Sequence, residues 1–267
     1  MGYQLGLIGG GNMAEAILRG LLGAGFLMPS EVIVSEVLPA RRAHLEQLLG
    51  VATTDDGTLP AACPRVLLAV KPQMMAPVLA QIAPHVQADA TVISIAAGIR
   101  TSVIDKALNG RGRIVRVMPN TPMLVGAGAS AVAAGPRAQE LDIDWATRLF
   151  AASGTVAQVE ESMIDAVTAV SGSGPAYFFY LVEAMVQAGV AEGLDLDVAL
   201  ELARQTCVGA GKLLAESQEK PETLRARVTS PNGTTQRAIE TMDAANVKAS
   251  LVKAIRAAAD RSRELGK

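Results

Sequence analysis

The run "QLGLIGGGNMAEAILRGLL", residues 4–22, constrains this chain more than any other stretch. An apolar strand-like segment passes straight into Gly9, Gly11 and Ala14 in the pattern G-x-G-x-x-A, and a helical pattern starts at once. Gly9 permits the tight turn, Gly11 lets backbone approach a pyrophosphate, and Ala14 keeps the helix close to the strand. The helix start then offers uncapped N–H groups and a partial positive charge to an anion. A strand, turn and helix of this kind belong to a βαβ unit, so the first expectation is a parallel sheet carrying a dinucleotide.

The rest of the first half extends that pattern. "EVIVSE", "RVLLAV", "ATVISIAAG" and "RIVRVMP" are short β-rich runs separated by stretches long enough for crossovers. Residues 12–25 and 39–49 carry apolar side chains at three-to-four spacing, as helices packed on a sheet do. After "GTVAQVEE" nothing reads as a strand, and Ala, Leu, Glu, Arg and Lys dominate. The expected fold is therefore α/β, an N-terminal Rossmann-type doubly wound parallel sheet over 1–160 followed by an all-α domain over 161–267. Helices are predicted at 162–170, 175–192, 195–217, 221–228, 234–243 and 246–265. In "AYFFYLVEAMVQAGVAE" only Glu183, Gln187 and Glu192 are strongly polar, so this helix must be buried on most of its circumference. A domain of such size cannot bury it unaided, which predicts a subunit interface.

Bulk properties remove several function classes. The net charge is −2 and no basic stripe appears, which argues against nucleic acid as a partner. Cys63 and Cys207 lie far apart, and with His44 and His85 they form no metal-ligand spacing, so no metal is expected. Each histidine reads as a surface residue and each cysteine as an ordinary packed thiol. The first residues carry no basic leader or cleavage site, and the charge-free run 166–182 is too short and polar for a membrane span. A cytoplasmic protein with no membrane partner is expected.

Two further places carry chemistry. At "VSEVLPARR", Glu36 could accept hydrogen bonds from an adenosine ribose, whereas Ser35, Arg41 and Arg42 could hold a 2′-phosphate. "AVKPQ" closes the fourth strand, which puts Lys71 and Pro72 at the cofactor cleft, and "SIAAGI" offers small residues to a nicotinamide ring. "VMPNTP" follows the sixth strand, with Asn120 able to fix a loop or contact substrate. Near the far end, "TSPNGTT" makes a tight turn in which Thr234 or Thr235 is expected as a helix cap. Such a helix start suits a carboxylate, and a threonine hydroxyl can donate to an adjacent polar atom.

The stretches "LRARVTSPNGTTQRAIETMD", "IGGGNMAEAI", "AVKPQ", "SIAAGI", "MPNTP" and "IDAVTAVSGSGPAYFF" resemble the pyrroline-5-carboxylate reductases, in family order across nearly the whole chain. The resemblance implies reduction of 1-pyrroline-5-carboxylate to L-proline with NAD(P)H, the last step of proline biosynthesis. It implies a helical dimerisation domain, a homodimer whose assembly into a higher oligomer the sequence leaves open, and a loop at Ser230 to Thr235 supplied by the partner chain. Position by position it implies that Gly233, Thr234 and Thr235 bind the substrate carboxylate and ring nitrogen, with the Thr235 hydroxyl on the nitrogen as the catalytic contact. Glu161 matches a substrate-site glutamate. Gly9, Gly10, Gly11, Asn12, Met13, Ser35, Asp56, Ala69, Val70, Lys71, Pro72 and Ala97 match cofactor positions. The serine match favours NADPH, with NADH as the alternative. Two departures stand out: Gln218 replaces a frequent glutamate, with Glu219 one place later, and the "SEVLPARR" segment is variable. A β-hydroxyacid dehydrogenase would need a lysine after the glycines near 172, where this chain has Phe178.

Overall fold

The computed structural model describes residues 2–266 of the chain. In chain order its strands are β1 (Leu5–Ile8), β2 (Val32–Ser35), β3 (Ala52–Thr54), β4 (Arg65–Leu68), β5 (Thr91–Ser94), β6 (Arg113–Met118), β7 (Gly128–Ala134) and β8 (Gly154–Gln158). Among the described residues they form one sheet in the order β3-β2-β1-β4-β5-β6-β7-β8. The pairs from β3 through β6 are parallel, with Leu5 opposite Val32 on one side and Arg65 on the other. β7 is antiparallel to β6, and β8 runs parallel to β7. The order reverses between β1 and β4, and such a switch point leaves a crevice at the carboxyl ends of the strands.

Helices α1 (Asn12–Gly23), α2 (Pro39–Leu49), α3 (Thr58–Ala61), α4 (Met75–Ile82), α5 (Thr101–Ala107) and α6 (Glu140–Ala151) connect these strands. Because side chains alternate across a strand, the sheet feeds two cores. Leu5, Leu7, Val32 and Val34 point into the layer with Ile17, Leu21 and Phe150. Ile8, Val66, Leu68 and Val92 point into the other, with Leu79, Ile82 and Ile104. This two-faced burial explains why these strands read as continuous apolar runs.

The remaining helices are α7 (Ile164–Val167), α8 (Gly174–Ala191), α9 (Leu196–Glu216), α10 (Pro221–Arg227), α11 (Thr234–Ala244) and α12 (Val247–Leu265). Contacts divide the chain into one unit ending at Ser173 and resuming at Ala258, and a second unit, Gly174–Ala257. That division falls later than the change of sequence texture at residue 160. The reason is local: Ile164 of α7 is fully buried against Ala131 and Ala133 of β7, so this first helical stretch is fastened to the sheet. The last turns of α12 rejoin the first unit, where the Ser262 hydroxyl donates to Asp165 at 2.6 Å. In the second unit α8 packs along α9, yet among residues 174–257 only Gly174, Ala199 and Ala203 are buried.

Candidate active site

Gly9 adopts φ +101°, and a β-carbon there would lie 2.8 Å from the Ala69 carbonyl oxygen, so the turn requires glycine. Gly11 occupies the cap position of α1 with open space where a side chain would stand, and no side chain caps the helix. The first-turn N–H groups at Asn12 and Met13 thus meet the requirements of a pyrophosphate cradle. Asn12 is exposed, while Met13 is half-buried against the core. Residues of this kind fit a dinucleotide.

The ladder continues past the strand ends: the Gly9 N–H donates to the Ser35 carbonyl and the Ala69 N–H to the Ile8 carbonyl. These bonds bring Gly9, Ser35, Glu36 and Val70 around a cavity of about 170 Å³ beyond β1, β2 and β4. Asp55 and Gly57 line it from the β3 side. Asp56 turns elsewhere, accepting from the Thr58 N–H at 3.0 Å and from its hydroxyl at 2.8 Å. Those two bonds hold its exposed carboxyl below the usual range.

Charge at the β2 end is arranged in a specific way. Glu36 accepts the Gly10 N–H on one oxygen and the Leu38 N–H on the other, each at 3.0 Å. Arg41 donates to the Gly10 carbonyl at 2.6 Å and pairs with Glu15 at 2.7 Å. Arg42 donates to the carbonyls of Glu36 and Val37 and stands 4.0 Å from Asp55. Burial alone would push the Glu15 carboxyl up, but hydrogen bonds from Arg19, Arg41 and His44 bring it below its ordinary value.

At the next strand ends, Lys71 is exposed, Pro72 and Ala97 are half-buried, and Gly98 (φ +75°) lies against the Leu265 backbone. Asn120 is buried and fixes a loop: its amide donates to the Ser171 carbonyl and its oxygen accepts the Ala129 N–H at 2.8 Å. The Ser171 carbonyl belongs to the π-turn Thr168–Gly172, and such turns disturb the regular helical ladder.

Glu161 is already engaged within the protein. One oxygen accepts the Thr101 N–H at 2.7 Å and stands 3.3 Å from Arg116, and the other accepts the Thr101 hydroxyl at 2.6 Å. Arg116 is buried, so Glu161 supplies the countercharge for a guanidinium inside the sheet layer. Sequence reasoning gave no sign of Arg116, whose position in an apolar strand is its only signal.

In the second unit, α11 begins at Thr234, and its cap position falls on Gly233, with no side-chain cap. The threonines therefore occupy the first turn and are not the cap, which corrects the sequence expectation. Asn232 adopts φ +58°, a left-handed conformation that asparagine tolerates, and its N–H donates to the Gln236 side chain at 2.8 Å. Gln236 thereby closes the turn, the work expected of a threonine hydroxyl. Thr235 is half-buried and Thr234 exposed. Just before the loop, Glu219 clasps Arg227 across α10 at 2.5 Å.

The chain is 42% identical over its whole length to a pyrroline-5-carboxylate reductase of Synechocystis sp., covering all of that protein. It belongs to the pyrroline-5-carboxylate reductase family. Residues 161–265 match the family model for pyrroline-5-carboxylate reductase dimerisation, and residues 4–98 match the one described as NADP oxidoreductase coenzyme F420-dependent. A solved pyrroline-5-carboxylate reductase from Coxiella burnetii superposes with a TM-score of 0.93 at 36% identity, over 99% of each chain. The Plasmodium falciparum pyrroline carboxylate reductase with NADP bound superposes at 0.88 and 26% identity, over 99% of this chain and 98% of that one. As in the family, a Rossmann-type sheet with a nicotinamide-dinucleotide site precedes a helical dimerisation segment. Among the described residues no helix is long and apolar enough to cross a membrane, and no group of metal-binding side chains occurs.

Proposed function

We propose that this chain reduces the ring C=N of 1-pyrroline-5-carboxylate to give L-proline, with a reduced nicotinamide dinucleotide as donor. The observation that carries this reading is the full-length match at 42% identity, which takes in both the glycine loop and the Ser230 to Thr235 loop. A reduced nicotinamide, when bound, supplies the hydride. The bare N–H groups at the start of α1 hold the diphosphate, and the Gly9 turn admits it without a side chain. At the start of α11 the N–H groups of Thr234 and Thr235 hold the substrate carboxylate, which the positive helix end favours, while the Gly233 N–H donates to the Ser230 carbonyl and fixes the turn that presents them.

The Thr235 hydroxyl donates to the ring nitrogen and stabilises the polarised imine. An imine so polarised accepts hydride at carbon, and its nitrogen takes the proton that completes the amine from water, the Thr235 hydroxyl keeping its own by relay. No histidine is required for this division of labour. Two chains form a homodimer through α8 and its neighbours, and the Ser230 to Thr235 loop serves the partner's cofactor site. A larger ring of dimers is compatible with the same interface. The unpaired thiols Cys63 and Cys207 suit a reducing compartment, which supports the cytoplasm as its location.

The test is the initial rate of NADPH and of NADH oxidation with racemic 1-pyrroline-5-carboxylate. Turnover with at least one donor is expected, with roughly a 10²-fold loss in Thr235→Ala. Absence of turnover with both donors overturns the substrate, and a Thr235→Ala rate within twofold of the parent removes Thr235 from the chemistry.

A further inference from the structure

We infer that Glu36 makes this chain select the unphosphorylated dinucleotide, NADH, over NADPH. The inference rests on the reading of the glycine loop as a nucleotide site, and it is independent of which imine is reduced. It reverses the lean that Ser35 suggests at the level of sequence.

Three observations carry it. First, the Glu36 carboxylate is fixed over the glycine loop by the Gly10 N–H, and the Leu38 N–H holds its second oxygen. Each oxygen keeps a lone pair, and two hydroxyls of an adenosine ribose are the natural donors to that pair of acceptors. Second, the arginines that could receive a 2′-phosphate are drawn back onto the protein and stay off the cavity lining. Arg41 is held by Glu15 and the Gly10 carbonyl, and Arg42 by the carbonyls of Glu36 and Val37. Third, the charged residues lining the cavity are Glu36 and Asp55, both acidic.

A 2′-phosphate carries between one and two negative charges at neutral pH, as phosphate monoesters do. Replacing a ribose hydroxyl by that group sets it against the carboxylate that the hydroxyl would have bonded. Like charges brought together in a partly enclosed site are strongly disfavoured. Arg41, which donates to Gly10 of the loop, already has its charge met by Glu15, a buried carboxylate in the first turn of α1. Ser35 adds a single neutral hydroxyl, which cannot offset two carboxylates.

The experiment is direct binding of NADH and of NADPH to the purified protein, followed by the quenching or enhancement of nicotinamide fluorescence without any imine present. NADH is expected to bind at least roughly tenfold more tightly. Glu36→Gln, which keeps an acceptor for the Gly10 N–H but removes the charge, is expected to shrink that ratio by about tenfold, mainly by strengthening NADPH. Glu36→Ala is expected to do the same with some loss of NADH affinity. Tighter or equal binding of NADPH by the parent overturns the inference, as does a ratio left unchanged by both variants. If neither nucleotide binds, the glycine-loop reading falls with it. Selective NADH binding without imine turnover leaves the discriminator standing and removes only the substrate.

Discussion

Glu161 illustrates how a single residue can be placed by sequence and given a different set of contacts by the fold. The resemblance assigns it to substrate, whereas its two oxygens already serve Thr101 and the buried Arg116. Removing it strands a guanidinium in the protein interior. Glu161→Ala is therefore expected to cost about 2 kcal/mol in urea unfolding, below the figure for a fully buried pair because Glu161 is partly exposed. A loss under about 0.5 kcal/mol, the size of an ordinary surface substitution, would show that Arg116 finds another partner. The glycine loop was legible beforehand, since the strand, the Gly9 turn at φ +101° and the start of α1 follow one another directly in sequence. The direction of the Glu36 and Arg41 side chains was not, because it depends on Glu15 and Gly10, residues about thirty places away. The Asn232 turn was legible as a turn, but the closing role of Gln236 depends on a side-chain rotamer.

Among elements, one carboxylate ties the start of α6 to the sheet, beside the apolar packing of Ile143, Leu149 and Phe150. Asp142, third in that helix, accepts the Gln139 N–H at 2.9 Å and two bonds from Arg113 at 2.7 and 3.0 Å. It also accepts the Thr91 hydroxyl, so the starts of β5, β6 and α6 meet on one buried side chain. Burial would raise this carboxyl, but the bonds from Arg113, Thr91 and Gln139 outweigh it and the value is lowered. A lowered folded value means that the stabilisation is complete above the unfolded carboxyl's ordinary value of about 4 and is lost as pH falls through the folded value. Asp142→Ala is expected to cost about 3–5 kcal/mol at pH 7, with the gap to the parent closing below pH 4. A gap that stays constant down to pH 2 would exclude the ionised carboxylate as its source. Elements with β-branched runs or long helical patterns were legible, and α8 through α12 fall within about two residues of expectation. β3 and β7 were not singled out. β3 is three half-buried residues, and β7 reads "GASAVAA", whose small side chains suit a crowded sheet but carry little strand signal.

For the whole molecule, the second unit sets the requirement. Phe178, Phe179 and Tyr180 of α8 are each more than half exposed, and a unit of this length with three buried residues has no core of its own. Sedimentation at micromolar concentration is expected to give twice the chain mass, and Phe179→Glu with Tyr180→Glu is expected to lower the mass or leave the protein insoluble. A monomeric parent would refute the interface. The apolar run of α8 was legible in the sequence, while the return of α12 to the first unit was not, because nothing local distinguishes its last turns from its first. That return bears on how the protein is made. Chains generally fold domain by domain as they leave the ribosome, the N-terminal part first. Here the Gly98 loop meets Leu265 and Asp165 meets Ser262, so the first unit gains these two contacts only from residues made after the entire second unit. The contacts that finish the first unit are thus the ones made after residues 174–257 have been synthesised.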